Sequence, residues 1–264
     1  MHSLNSKAQA LESFSKLLKI MDELREQCPW DIKQTIESLR YLTIEETFEL
    51  SDAIMDNDME EIKKELGDLL LHIVFYSRIA SETNTFNIQN VIDSLCEKLI
   101  RRHPHIYGEA IAEDEEAVKK NWELIKQTEK GGNKTVLAGV PRSLPALLKA
   151  TRIQEKARGV GFDWDNKEQV WDKVQEELQE FKAEIDNPHA SLNDMENELG
   201  DVFFSLINYA RFVNLNPENA LEKTNKKFIE RFNYIELKAK EQNKLINELS
   251  IQEMNRYWEE AKNK

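Results

Sequence analysis

The chain has 264 residues, 40% of them hydrophobic and 32% charged, with 8 Gly and 6 Pro. That is a globular composition with too little punctuation for a turn-rich β fold. Its net charge of -13 repels phosphate backbones, which argues against nonspecific nucleic-acid binding and leaves a polyanionic substrate in need of local cations or metal ions.

Leu11, Phe14, Leu17, Leu18, Met21 and Leu24 recur at helical spacing and predict an opening amphipathic helix. "CPW" stops it, because Pro29 disfavours helix at the residue before it. Helical patterns follow through "TIESLRYLTIEETFELSDAIM", "MEEIKKELGDLLLHIVFYSRIASE", "NIQNVIDSLCEKLIRR" and "DEEAVKKNWELIKQ", with "HPHIYG" between the last two. "TEKGGNKTVLAGVPRSLP" breaks the period and reads as a linker. Helical patterns resume in "LPALLKATRIQEKA", "KEQVWDKVQEELQEFKAEI", "SLNDMENELGDVFFSLINYARFV", "PENALEKTNKKFIERFNYIELKAKEQ" and "SIQEMNRYWEEAKNK". No stretch reads as a strand. The expectation is an all-α fold of two tandem helical modules, 1–127 and 144–264, joined by a linker at 128–143. The two cysteines, Cys28 and Cys96, form no CxxC. The N-terminal stretch lacks an apolar leader, and "LLLHIVFY" is too short to span a bilayer. Together these predict a reduced, cytoplasmic chain with no membrane partner.

The modules are copies. Glu45, Glu46, Glu49, Glu65 and Asp68 match Glu176, Glu177, Glu180, Glu198 and Asp201 in order. "EKLIRR" matches "KKFIER", aligning Lys98 with Lys227 and Arg102 with Arg231, and Trp122 matches Trp258. Even the turn before each acidic helix recurs, as "CPWD" and "GFDWD". Ordered matches at nearly constant offset indicate a duplicated helical unit.

Residues three or four apart share a helix face. Glu176 and Glu177 thus neighbour Glu180, Glu198 and Asp201 line one face of the next helix, and a short loop brings both faces together. Like charges one turn apart destabilise a helix by about 0.2–0.5 kcal/mol per pair. Beside apolar "ELGDLLLHIVF" and "ELGDVFFSLIN", such a cluster needs counter-charge. Hard divalent cations supply it most simply: an all-oxygen ligand set suits Mg²⁺, with Mn²⁺ as a substitute. A di-iron site wants Glu-x-x-His, which the chain lacks. Acidic helix faces are common on solvated surfaces; the ordered set, twice, against apolar stripes is what favours a metal site. Lys227 and Arg231 lie one turn apart and suit either a phosphate or an ordinary surface pair. Trp258 suits either base stacking or packing. Trp30 and Trp164 read as core anchors and His72 as a packed histidine.

These residues resemble a known family. "EExxE…ExxD" is the signature of all-α nucleoside triphosphate pyrophosphohydrolases, and "CPWD", "LTIEETFE", "RRHPHIYG", "VPRSLPALLKA" and "VGFDW" resemble the two-module bacterial MazG type over nearly the whole chain. The resemblance implies Mg²⁺-dependent hydrolysis of NTPs and dNTPs to monophosphate and pyrophosphate, in a homodimer packed as four-helix-bundle-like units. It also places activity mainly in the C-terminal module. By motif it makes Glu177, Glu180, Glu198 and Asp201 metal ligands, lets Glu176 bind metal or position water, and puts Lys173, Lys227, Arg231 and Trp258 at the nucleotide. Asn225 adds a polar ligand where the first module has Cys96, so Glu45, Glu46, Glu49, Glu65 and Asp68 form a second site of weak or no activity. The implied reaction is water attack at the α-phosphorus. A related pyrophosphohydrolase with another nucleotide substrate, and a non-catalytic nucleotide sensor, are the alternatives; the intact second acid set argues against the sensor.

Overall fold

Helix boundaries follow the caps written in the sequence. The computed structural model describes residues 2–109, 118, 122, 125 and 135–263. In the first part of the chain α1 spans His2–Gln27, α2 Ile36–Asp56, α3 Met59–Glu82, α4 Ile88–Arg102 and a single turn, α5, Pro104–Tyr107. In the second, α6 spans Ala146–Arg158, α7 Lys167–Asp186, α8 Leu192–Phe212, α9 Pro217–Glu241 and α10 Ile251–Ala261. Among the described residues every regular element is helical, and no helix is long and apolar enough to cross a membrane. Thr35 and Ser38 cap α2 reciprocally, and Asn87 with Asn90, Ser191 with Asp194 and Ser250 with Glu253 do the same for α4, α8 and α10. Each such cap satisfies amide N–H groups that a helix start leaves orphaned.

The chain divides into two compact units, Met1–Glu113 and Asp114–Lys264. Most of the helical pattern around Trp122, and the first half of the expected linker, lie outside the described residues; Val136–Gly139 forms a 3-10 turn. In the first unit α3 packs against α1, α2 and α4. Its core is Met21, Leu39, Val74 and Phe75, with Phe14, Leu17, Leu42 and Leu71 around it. In the second, α8 packs against α6, α7 and α9, and α9 packs on α10. There the buried cluster is Ile235, Ala239, Leu249 and Tyr257.

Trp30 and Trp164 are not the core anchors expected of them: they are 53% and 43% exposed. Trp30 meets Phe75 with centroids 6.5 Å apart, so the turn that holds it buries only part of the indole. Phe75 is the largest fully buried side chain of the first unit. Phe75→Ala removes that volume without a group to refill it. It is expected to destabilise the first unit by about 3–5 kcal/mol, seen as faster amide hydrogen exchange along α3 with exchange along α8 unchanged.

Candidate functional site

Both acid sets sit on helical hairpins. Asn57 and Asp58 alone separate α2 from α3. Asn57 takes a left-handed backbone (φ 55°), which ends α2, and the Asp58 carboxylate accepts the N–H groups of Glu60 and Glu61 to start α3. Residues 187–191 join α7 to α8 with a similarly short turn. Connections this short force antiparallel neighbours, so Glu46 and Glu49 on α2 face Glu65 on α3, and Glu177 on α7 faces Glu198 and Asp201 on α8.

In each hairpin three of the predicted acids converge. Glu46, Glu49 and Glu65 each bring a carboxylate oxygen within 4.8 Å of the others, as do Glu177, Glu198 and Asp201. The two trios are not equivalent positions. Asp68 stands outside the first trio but acts on the charge of Glu46; Glu180 stands outside the second but acts on Glu198. Glu45 and Glu176 lie exposed on the outer side of their helices.

The electrostatics report crowding. Burial, a hydrogen bond with Glu65, and the charges of Asp68 and Glu49 push the Glu46 carboxyl up to about 7. Burial, then Glu180, Asp201 and Glu177, raise Glu198 above the ordinary range. Glu65 goes the other way, because Lys64 hydrogen-bonds it. Glu65 has no exposed surface, and among the described residues its Oε2 has no hydrogen-bond partner. An orphaned carboxylate oxygen inside an all-carboxylate donor set fits a hard divalent cation.

Each trio already contains one ammonium group, and the two come from opposite sides. In the first hairpin Lys64 Nζ, from α3, lies 2.9 Å from Glu65 Oε1 and 2.7 Å from Glu61 Oε1. In the second, Lys173 Nζ, from α7, lies 2.7 Å from Glu177 Oε1 and 2.8 Å from Glu176 Oε1. The carboxylates raise the pKa of both lysines, by hydrogen bonds first. Leu42 stands where Lys173 would have its counterpart, and Asn197 where Lys64 would. Lys64 is not distinguishable in sequence from its neighbour in "EEIKKELGD". Its spacing of three from Glu61 and one from Glu65 is the only signal.

The remaining predicted residues lie on α9 and α10. Asn225 donates to Glu222 at 3.1 Å, and Lys227 is exposed. Arg231 lies over the Trp258 ring at 5.4 Å, and Phe228 meets the same ring at 5.1 Å. Among the described residues no ion pair links Lys227 or Arg231 to the acid trio; the cation that touches the acids is Lys173. Cys96, at the position of Asn225, is exposed on α4. His72 is buried on α3 with its ring edge toward Tyr76, centroids 6.5 Å apart, and burial lowers its pKa against the pull of Asp68.

Similarity to known proteins runs through these hairpins. The profile of the MazG nucleotide pyrophosphohydrolase domain matches twice, at residues 34–107 and 166–235. The chain is 45% identical to the nucleoside triphosphate pyrophosphohydrolase/pyrophosphatase MazG of Thermotoga maritima, over 94% of this chain and 95% of that protein. It is 36% identical to the nucleoside triphosphate pyrophosphohydrolase of Escherichia coli K12, over 96% of this chain and 98% of that protein. It is also 43% identical to the uncharacterized protein YabN of Bacillus subtilis, over 94% of this chain and 51% of that protein. Two profile matches centred on the two acid hairpins, and full-length similarity to the Thermotoga and Escherichia proteins, establish that the chain belongs to the MazG nucleotide pyrophosphohydrolase family.

Proposed function

We propose that the chain is a Mg²⁺-dependent nucleoside triphosphate pyrophosphohydrolase whose catalysis resides in the α7–α8 hairpin, releasing nucleoside monophosphate and pyrophosphate. The observation that carries the reading is the convergence of Glu177, Glu198 and Asp201 within 4.8 Å, a ligand set made of carboxylate oxygens. Glu177, Glu198 and Asp201 hold the metal, with Glu180 beside Glu198 as the fourth ligand. When bound, the ion neutralises phosphate charge and acidifies water. Glu176, exposed and one residue from Glu177, positions the attacking water. Lys173 is anchored on Glu177 and turns its charge toward the same phosphate. Lys227 and Arg231 hold the leaving pyrophosphate, and Trp258, backed by Phe228, offers its ring to the base. Substrates are NTPs and dNTPs, and the setting is cytoplasmic.

Two features favour the second hairpin over the first. Glu46 holds a proton near neutrality, and Cys96 replaces Asn225. The first hairpin therefore binds metal more weakly.

A second copy of the chain completes the picture. Leu66, Leu70 and Ile73 form an exposed apolar stripe on α3, and Phe203 and Leu206 one on α8. Gly67 and Gly200 stand beside these stripes, and a Cβ on either would meet nothing within the chain. A helical glycine costs about 1 kcal/mol against alanine, so its place in both copies is accounted for by close approach of another helix. The reading is a homodimer joined through these faces.

Chelation is expected to abolish turnover, and chromatography of an ATP digest to show AMP and pyrophosphate; ADP as main product would refute attack at the α-phosphorus. Glu177→Gln and Asp201→Asn should each lower the rate at least about a hundredfold, whereas Glu46→Gln and Asp68→Asn keep most of it. Pyrophosphate release from variants of matched helicity checks this, and the reverse pattern would move catalysis to the first hairpin.

Metal binding at the first hairpin should depend on pH. Glu46, raised to about 7, binds a proton in the folded but not the unfolded chain between its ordinary pKa and about 7. Without metal its contribution to the stability of the first unit therefore falls as pH rises through that window. Mg²⁺ must displace that proton. In an Asp201→Asn background, Mg²⁺ affinity measured by calorimetry should fall about tenfold from about pH 8 to about pH 6; equal affinities at the two pH values would contradict the shared proton.

Light scattering at micromolar concentration is expected to give twice the chain mass. Gly200→Phe, whose Cβ would meet no atom within 4 Å beyond its own helix turn, should give the monomer with its helicity retained. A monomeric parent chain would contradict the shared face.

A further inference from the structure

In a chain with 49 acidic and 36 basic residues, a cation readily finds a carboxylate, as Lys173 finds Glu176 and Glu177. Arg231 is held differently. Among the described residues no carboxylate pairs with it, and its guanidinium lies over the Trp258 ring, 5.4 Å from the centroid. Lys227, one turn earlier on α9, is exposed, whereas Arg231 is half-buried.

The ring that holds Arg231 is itself fixed. α10 packs on α9, and Tyr257 anchors it in the buried cluster with Ile235, Ala239 and Leu249. The Tyr257 hydroxyl accepts hydrogen bonds from Gln242 and Arg256, and Lys244 ties Glu253 in the first turn of α10 at 3.0 Å. Trp258 follows Tyr257 directly and packs at the edge of that cluster. From α9, Phe228 meets the indole at 5.1 Å and 60°, and Phe232 stacks on Phe228 at 6.1 Å and 11°. Phe228 and Arg231 are three residues apart, so they share a helix face and reach the same indole.

A ring restrains an arginine in a way that a carboxylate does not. An acid takes up guanidinium N–H donors and cancels the charge. A cation over a ring face is attracted by the ring quadrupole, which uses no hydrogen-bond donor. The five donors of Arg231 and its full charge are then left for phosphate oxygens, which the planar fork matches in geometry. Restraint before binding also lessens the rotamer freedom lost when a ligand is gripped.

We propose that Trp258 is a positioning residue for the leaving pyrophosphate: its indole, fixed by Tyr257 and Phe228, holds the Arg231 guanidinium in place for the phosphate oxygens. The inference rests on the reading that Arg231 binds pyrophosphate, and it gives the indole a role that needs no nucleobase.

The test is calorimetric titration of the full chain with inorganic pyrophosphate in Mg²⁺, a ligand without a base. The binding that Arg231→Ala weakens at least about tenfold defines the site. Trp258→Leu is expected to weaken it at least about threefold at unchanged helicity. Trp258→Met, which also lacks a ring and adapts to irregular gaps, should do the same, and Trp258→Phe should stay within about twofold of the parent. The loss should persist when Trp258→Leu is placed on Lys227→Ala and vanish when it is placed on Arg231→Ala, because only the arginine is held by the ring. Pyrophosphate binding unchanged in both Trp258→Leu and Trp258→Met would overturn the proposal and leave the indole to the base. So would a loss of equal size in the Arg231→Ala background, or a Trp258→Phe variant as weak as Trp258→Leu. Parent-like binding by Arg231→Ala, or no binding by the parent up to about 10 mM, would overturn it together with the pyrophosphate role of Arg231.

Discussion

Mutual repulsion of carboxylates across a helical hairpin is the constraint around which each unit is built. Glu46, Glu49 and Glu65 in one hairpin, and Glu177, Glu198 and Asp201 in the other, are held within 4.8 Å at the margin of a buried apolar face. Nothing in helix propensity or burial favours that arrangement. The capped, short-looped hairpins enforce it, and the cost appears in the raised carboxyls of Glu46 and Glu198. On the reading proposed above, a divalent cation would relieve that repulsion. The same repulsion accounts for the lysines: Lys64 and Lys173 each give one carboxylate of the cluster a partner.

The two hairpins solve that problem with opposite helices, which shows how a duplicated site diverges without losing its acids. A lysine at Leu42 would crowd Lys64 in the first hairpin, and a lysine at Asn197 would crowd Lys173 in the second; each hairpin carries one. The two lysines are used alike: each bridges one exposed acid, Glu61 or Glu176, and one buried acid of the trio, Glu65 or Glu177.

Much of this was legible in the sequence, for identifiable reasons. The helices were legible because apolar positions recur at the helical period and caps or Asn residues mark their ends; "MEEIKKELGDLLLHIVFYSRIASE" is α3 to the residue. The acids were legible because two copies repeat them in order. Which three converge was not, because that depends on the rotation of one helix about the other, set by packing among residues such as Val174, Val202 and Val74. Lys64 was hidden for the same reason. The tryptophans misled because "CPWD" and "GFDWD" look like buried turns, yet each indole lies at the end of a hairpin where the core has run out.

The end of the hairpin away from the acids has drifted further than the acid end, and the reason is physical. Changing one carboxylate or lysine of a trio alters the charge balance of its neighbours, the buried Glu65 and Glu177 among them, so substitutions there are coupled. Near the helix C-termini the arginines can exchange one acid for another. One turn can be lost from α8 if Arg211 finds a new acid, and Asp163 on the preceding loop supplies it. Phe75, which lies under Arg25 at 5.9 Å in the first unit, corresponds to Asn208, which bonds Arg211 in the second. The substitution of a ring by an amide and the loss of the Glu82 turn belong together: each would leave an arginine poorly held without the other. The second unit thus holds Arg211 through Asp163 and Asn208, where the first holds Arg78 through Asp22 and Glu82.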